Sequence, residues 1–148
     1  MTGVGLRGTS GKAGLLKNVQ LFQGLSERQL QQIARLADEM DVPAGKVLAR
    51  AGETGHEMFV IVEGQASVTT SQRRTLQLGA GDFFGEMSLL DGGPRSATVE
   101  AATPMRLLVI GQREFFSLLA EAPLISKGIM RTLSQRLRKA DAAFSTCT

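Results

Sequence analysis

Glycine recurs throughout residues 41–111 and divides this part of the chain into short runs of β-forming residues. Residues 58–62 and 105–110 are continuous apolar runs, which are typical of buried strands. Residues 66–70 and 97–101 instead alternate between apolar and polar positions, as half-buried strands do. Many short strands with a turn signal every ~8–12 residues predict a β-sandwich or a β-barrel.

The helical period appears on both sides of this β-rich segment. Residues 15–40 are expected to be helical, and Ser26 with Gln29 forms a capping-box pattern at the start of a helix. After Arg113 the helical period returns, and Pro123 ends the first helix of this region. The last helix has an apolar seam that can pack on the barrel or on a partner helix. Its residues are Ile125, Ile129, Leu133, Leu137, Ala140 and Phe144.

One domain is expected, and it covers residues 15–142. Within it the barrel spans about 41–111 and two C-terminal helices span about 112–142. Residues 1–14 are rich in glycine and lack an apolar period, so we expect a flexible leader. Residues 143–148 are expected to be a tail.

Composition excludes several classes of protein. No apolar run approaches the ~20 residues that a membrane span needs, and no signal-peptide pattern is present. A single cysteine, Cys147, excludes an intrachain disulfide framework and a multi-cysteine zinc site. A single histidine, His56, leaves no histidine cluster for a catalytic metal. We therefore expect a cytoplasmic protein without a membrane span and without a metal site.

Charge is distributed unevenly along the chain. The net charge is +3, but the basic excess lies in the flanks, and residues 41–111 carry six basic and eight acidic residues. This excess is too weak to indicate a nucleic-acid interface. An anion bound by the middle segment would therefore be held by local geometry and not by a broad positive field.

The residues that suggest chemistry lie between Phe83 and Val99. A strand is expected to end at Phe84, and Gly85 then allows a ligand to approach the backbone closely. The next five residues are long enough for one helical turn, whose first amides favour an anion. A Gly-Gly-Pro turn follows and brings Arg95 to the start of the next strand.

Three side chains in this stretch complement one another. Arg95 can clamp a phosphate with its planar, permanently charged guanidinium, and the Ser96 hydroxyl can add a hydrogen bond. Glu86 can accept a hydrogen bond from a hydroxyl of the same ligand. A Gly-Glu turn or a Pro-Arg pair alone is usually structural, but the combination is much more specific. It indicates a ligand that carries one phosphate and a neighbouring sugar hydroxyl.

The stretch from Phe84 to Val99 resembles the phosphate-binding cassette of the cyclic nucleotide-binding domain family. The resemblance covers roughly residues 15–142. It implies a mainly β fold with flanking helices: an eight-stranded jelly-roll barrel with an N-terminal helical lead and two C-terminal helices. Other segments that match the family pattern are Pro43-Ala44-Gly45, Gly52-Glu53, Met58–Gly64 and Leu78–Gly85.

The resemblance also implies roles for individual residues. Glu86 would accept a hydrogen bond from the ribose 2′-hydroxyl, and Arg95 would pair with the cyclic phosphate. Ser96 resembles the residue of bacterial cAMP receptors, whereas threonine there would favour cGMP. We therefore expect cAMP as the ligand, with cGMP second. The other predicted binding residues are Gly85, Met87, Ser88, Phe84 and Ala97 around the phosphate, and Val68 and Leu76 beside the base.

The function expected from these observations is that of a non-catalytic receptor module. Ligand binding would move the C-terminal helix. This movement would change the surface offered to an effector protein, or it would change self-association as a homodimer through that helix. The alternative is an interaction or scaffold jelly roll that has lost ligand binding. We expect no enzyme, because metal-dependent phosphodiesterases need clusters of His and Asp. We also expect no direct DNA binding, because the chain ends soon after its last helix.

The basic residues of the last helix allow two interpretations. A solvated helical face is the simpler one and the one we expect. In the other, some of these residues contact the ligand or a partner when the helix closes as a lid. They are Arg131, Arg136, Arg138 and Lys139.

Overall fold

The computed structural model describes residues 14–70 and 73–145, and it consists of two four-stranded antiparallel sheets with helices on one side. The strand orders are β1-β8-β3-β6 and β2-β7-β4-β5. This is the predicted jelly-roll barrel of eight strands, so the predicted fold is confirmed. The strands are β1 (Asp38–Val42), β2 (Val47–Ala49), β3 (Glu57–Glu63), β4 (Ala66–Thr70), β5 (Thr75–Leu78), β6 (Phe83–Phe84), β7 (Ala97–Ala101) and β8 (Met105–Gly111).

Among the described residues, the helices that accompany the sheets include one short 3₁₀ helix and the four α-helices given below. The 3₁₀ helix (Gln20–Phe22) precedes α1, and α2 lies between β6 and β7. The last two helices follow β8, and Pro123 is the first residue of α4, a position where its missing N–H is tolerated. The α-helices are α1 (Glu27–Leu36), α2 (Glu86–Asp91), α3 (Gln112–Glu121) and α4 (Pro123–Ser145).

The two strands with continuous apolar sequence, β3 and β8, are buried on both faces. Phe59 and Ile61 of β3 belong to the core between the sheets, whereas Met58 and Val60 pack against the helices. Strands β4 and β7 bury mainly one face, so their sequences alternate. Two-sided burial thus accounts for the difference between the two sequence patterns.

The first strand begins inside the segment that was expected to be helical, so that expectation is wrong for residues 38–40. Helix α1 has the predicted capping box of Ser26 and Gln29, but it ends at Leu36. Strand β1 pairs antiparallel with β8, so the barrel begins three residues before the expected boundary. The acidic sequence of β1 carries no local strand signal, and the pairing with a distant strand determines its conformation.

The helices pack together over the outer face of one sheet. Residues of the N-terminal lead and of α3 and α4 share one core with that face of the sheet. Gly128 of α4 lies against the 3₁₀ helix so closely that a Cβ there would be 2.9 Å from Leu21 Cδ1. Within the described ranges, no helix is both long enough and apolar enough to span a bilayer.

Other predictions fall near the ends of the described ranges. The expected leader, apart from Gly14, lies outside the described residues, as do residues 146–148 of the expected tail. Helix α4 continues to Ser145, beyond the expected boundary at 142. In its seam, Ile125 and Ile129 are buried in the core, whereas Leu137 is exposed. Ala140 and Phe144 of the seam lie beyond the described side chains.

Candidate functional site

A cavity of about 540 Å³ lies between the β4–β5 hairpin, the segment from β6 to β7, and helix α4. It is lined by every residue that the sequence predicts for ligand binding. The structure therefore brings together residues that are up to 29 positions apart in sequence, from Val68 to Ala97. The predicted residues at its wall are Val68, Leu76, Phe84, Gly85, Glu86, Met87, Ser88, Arg95, Ser96 and Ala97.

Gly85 positions the cassette against the barrel. Its φ of +91° lies in the left-handed region that favours glycine. A Cβ at this position would be 2.7 Å from Arg95 Nη1 and 2.9 Å from the backbone oxygen of Glu57. Only glycine therefore lets helix α2 start this close to strand β3 and to the guanidinium.

Arg95 is buried and fixed in orientation. Its Nη1 donates to the backbone oxygen of Gly85 at 3.0 Å, and its Nη2 donates to that of Glu57 at 2.8 Å. The guanidinium carbon lies 5.9 Å from the centre of the Phe59 ring, which stacks on Phe84. No carboxylate of the described ranges lies within ion-pair distance of Arg95. Burial lowers the pKa of Arg95, and the carboxylates of Glu57 and Glu86 oppose that effect.

Glu86 lies on the first turn of α2, and it is only 1% exposed. Its Oε2 lies 3.4 Å from Arg136 Nη1, and its Oε1 is buried without a hydrogen-bond partner among the described residues. Burial raises the pKa of Glu86 from its usual 4.5, while Arg136, the backbone amide of Glu86 and Arg95 lower it. A buried carboxylate oxygen without a donor costs about 1–3 kcal/mol or more, so this atom favours a ligand that can donate.

Arg136 is a second cation at this site, and the expected solvated face is wrong for this residue. Its Nη2 donates to the backbone oxygen of Phe83 at 2.9 Å, and its guanidinium lies 5.3 Å from the centre of the Phe83 ring. Both Arg136 and Lys139 line the cavity. The sequence places these residues on the last helix, but it contains no signal that orients either of them toward residue 86.

The remaining wall contains both polar and apolar side chains. The Ser96 side chain is exposed, and its Oγ has only a weak contact with Met87 Sδ at 4.0 Å. Leu76 is 57% exposed and Met87 is 47% exposed, although both line the cavity. A flat apolar group bound here would cover both side chains and remove apolar surface from water.

Sequence reasoning missed several residues of the cavity wall. The family resemblance named Val68 and Leu76, and the apolar positions of the alternating runs also include Leu78 and Val99, so the alternation could have found both. Arg74 in the β4–β5 hairpin carries no such signal, because a hairpin arginine usually points to solvent. The wall residues that were not predicted are Ala49, Thr70, Arg74, Gln77, Leu78 and Val99, whereas Arg136 and Lys139 were named only in the alternative interpretation of the last helix.

Fold and site together define a class of protein: a jelly-roll domain with a cavity suited to a small organic anion that also carries a hydroxyl. A family model for the cyclic nucleotide-binding domain matches residues 39–122, which is more than half of the chain. The chain therefore belongs to the cyclic nucleotide-binding domain family.

Individual relatives agree with this assignment. A cyclic nucleotide-gated potassium channel of Rhizobium etli is 45% identical over 122 residues, which are 82% of this chain and 34% of the channel. The cyclic AMP receptor protein of Thermus thermophilus is 32% identical over 131 residues, covering 85% of this chain and 61% of the receptor. The crystal structure of the Thermus thermophilus catabolite activator protein matches with a TM-score of 0.76 at 29% identity, covering 84% of this chain and 61% of that one. The chain thus spans between about one third and three fifths of these relatives.

Proposed function

We propose that this domain is a receptor for cAMP, with cGMP as the weaker ligand, and that it has no catalytic activity of its own. The observation that carries the proposal is the pairing of a fixed, buried guanidinium at Arg95 with a buried carboxylate at Glu86 beside one cavity. A cyclic nucleotide offers a matching pair of groups, because its phosphate is a monoanion and its ribose retains one hydroxyl.

Arg95 is proposed to bind the cyclic phosphate. A guanidinium has five N–H donors, and the backbone oxygens of Gly85 and Glu57 accept from two of its nitrogens. The remaining donors are proposed to bind an anion in the cavity, whose wall includes Arg95. The Ser96 hydroxyl, which has only a weak sulfur contact, adds a further donor to the phosphate.

Glu86 is proposed to accept a hydrogen bond from the ribose hydroxyl through its unsatisfied Oε1. The base would then lie against the apolar wall formed by Val68, Leu76 and Met87, of which the last two have large exposed surfaces. Gly85 and Ser88 allow the backbone to approach the phosphate, and Phe84 and Ala97 complete the wall beside them.

Binding is proposed to change the position of helix α4 and thereby the surface offered to an effector protein. Helix α4 reaches the cavity through Arg136 and Lys139, so an occupant of the cavity meets this helix. A homodimer through α4 is part of the proposal. Met130 and Leu137 are 63% and 64% exposed and lie seven residues apart, hence on one face of the helix. The proposal includes no direct contact with DNA and a cytoplasmic location, which suits a chain with one cysteine.

Calorimetric titration of cAMP and cGMP into the purified domain tests the proposal. Arg95→Ala is expected to weaken cAMP binding by at least ~10-fold and up to ~100-fold, because a charge-assisted hydrogen bond contributes about 1.5–3 kcal/mol. Arg113→Ala, the same change at an exposed position of α3, is the matched control and is expected to bind as the wild type does.

Two results would contradict the proposal. The first is the absence of heat and of thermal stabilisation at millimolar nucleotide, since ligand at 100 times its Kd stabilises a protein by about 2.7 kcal/mol. The second is equal affinity of Arg95→Ala and wild type. Either result would favour a jelly roll that serves as an interaction module without a ligand.

A further inference from the structure

Arg136 lies between two cavities of the domain. One is the 540 Å³ cavity of the proposed nucleotide site. The other, of about 130 Å³, lies between the 3₁₀ helix, the β5–β6 turn and α4, and Arg136 is the residue that lines both among those named for the two cavities. Its guanidinium is fixed there by the backbone oxygen and the ring of Phe83. Arg136 is thus an ordered part of the site although it belongs to a distant helix.

The partner of this guanidinium is the most buried charged side chain of the site. Glu86 Oε2 lies 3.4 Å from Arg136 Nη1, and the Glu86 side chain is almost completely buried. A buried carboxylate retains its charge only if a cation or several donors compensate for the lost hydration. Arg95 contributes less, because its hydrogen bonds go to the backbone oxygens of Gly85 and Glu57.

We propose that Arg136 is a positioning residue that keeps the buried Glu86 carboxylate in its charged, hydroxyl-accepting form and ties that carboxylate to helix α4. The inference rests on the proposed function, in which Glu86 accepts from a ligand hydroxyl. It goes further because it makes the ability of Glu86 to accept a hydrogen bond depend on Arg136, which is 50 residues away in sequence. Arg136 occupies Oε2 and leaves Oε1 for the ligand.

The charged groups around Glu86 show which substitution should alter its pKa most. Arg136 from α4 and Arg95 from the segment before β7 are the cations that lower the pKa of Glu86, and Arg136 has the larger effect. Glu57 of β3 acts on Arg95, and Lys139 and Arg74 lie on the cavity wall. With Arg136 removed, burial would raise the pKa of Glu86 further, so the carboxylate would take up a proton at a higher pH.

The test is the pH profile of cAMP affinity between pH 5.5 and 8 in wild type and in Arg136→Gln. As the pH is lowered from 8 to 5.5, we expect the cAMP affinity of Arg136→Gln to fall about tenfold more than that of the wild type. The reason is that raising the Glu86 pKa by one unit lowers the ionised fraction up to tenfold. Arg136→Lys restores a cation and is expected to lie close to the wild type. Arg138→Gln removes the same charge from an exposed position of the same helix and serves as the matched control.

A second measurement needs no ligand. The carboxyl carbon of Glu86, labelled with ¹³C and assigned by its loss in Glu86→Gln, reports the titration of this side chain directly by NMR. We expect its midpoint to move to higher pH in Arg136→Gln and to stay at the wild-type position in Arg138→Gln. Arg136→Met, which also removes the cation but keeps a long aliphatic side chain, provides the same comparison if Arg136→Gln does not fold.

The outcomes separate the two proposals. If neither the wild type nor any variant binds nucleotide, but the Glu86 titration midpoint moves in Arg136→Gln, the proposed function fails. The role of Arg136 in keeping Glu86 charged then stands. If wild type binds nucleotide and Arg136→Gln shows the same pH profile and the same Glu86 midpoint, the inference about Arg136 is overturned and the receptor function remains.

Discussion

Replacement of glycine by alanine at three positions of the barrel tests how tightly the cassette packs on Arg95. Gly79 has no positive φ and no atom within 4 Å of an added Cβ, so Gly79→Ala is expected to change the free energy of unfolding by less than about 1 kcal/mol. Gly45 has a φ of +90° and also has open space around it, so Gly45→Ala carries only the conformational cost. This cost is about 1–2 kcal/mol for a residue with a side chain in the left-handed region.

Gly85→Ala adds a steric conflict to the same conformational cost. The new Cβ would approach Arg95 Nη1 at 2.7 Å and the backbone oxygen of Glu57 at 2.9 Å. The guanidinium would have to leave at least one of its two carbonyl partners, and a hydrogen bond from a charged group contributes about 1.5–3 kcal/mol. We therefore expect Gly85→Ala to lower the free energy of unfolding by about 2.5–5 kcal/mol and to weaken cAMP binding.

Urea unfolding of the three variants, together with calorimetric titration of cAMP, measures both effects. The difference between Gly85→Ala and Gly45→Ala reports the steric contacts with Arg95 and the Glu57 backbone, because the two glycines have nearly the same φ, +91° and +90°. Equal losses of stability in these two variants, with cAMP affinity unchanged in Gly85→Ala, would refute the packing described for the cassette.

Three further predictions concern other parts of the chain. Burial raises the pKa of Glu86 above 4.5, so its charge costs stability at neutral pH, and that cost is relieved as the pH falls through the raised pKa toward 4.5. The unfolding free energy of wild type relative to Glu86→Gln should thus rise between pH 7 and pH 5, and a constant difference would refute this. Arg106→Met leaves the carboxylates of Glu39, Asp41 and Glu63 without their shared cation, and it should destabilise the domain in urea by about 0.2–1 kcal/mol, because these are surface ion pairs. That loss should shrink in 1 M salt, because salt screens the repulsion, and an unchanged loss would contradict the electrostatic cause. Ser26→Ala removes the capping box of α1 and should cost about 1 kcal/mol in the same assay, whereas no loss would show that the cap is dispensable.

Local patterns in the sequence were sufficient for most of the fold. The continuous apolar runs became β3 and β8, and the alternating runs became β4 and β7, because burial on two faces or on one face determines the polarity of each position. The capping box of Ser26 and Gln29 is likewise a local interaction. The strand Asp38–Val42 was not predictable in this way, since its acidic residues adopt an extended conformation only by pairing with β8.

In the candidate site too, the residues that are close in sequence were predictable and the contacts between distant residues were not. Glu86, Arg95 and Ser96 lie in one continuous stretch, so their resemblance to a known cassette was sufficient to select them. The contacts that orient them are not local. The backbone oxygen of Glu57 receives Arg95, and Arg136 approaches Glu86 across 50 residues. Such contacts depend on the packing of whole elements, which a single sequence does not reveal.

The most direct test of the account is a crystal structure of the domain grown with saturating cAMP. The account predicts that the cyclic phosphate lies within hydrogen-bond distance of Arg95, about 2.7–3.2 Å, and that a ribose hydroxyl donates to Glu86. The base is expected against Leu76 and Met87. A nucleotide bound outside this cavity, or bound inside it with the phosphate away from Arg95, would contradict the central claim.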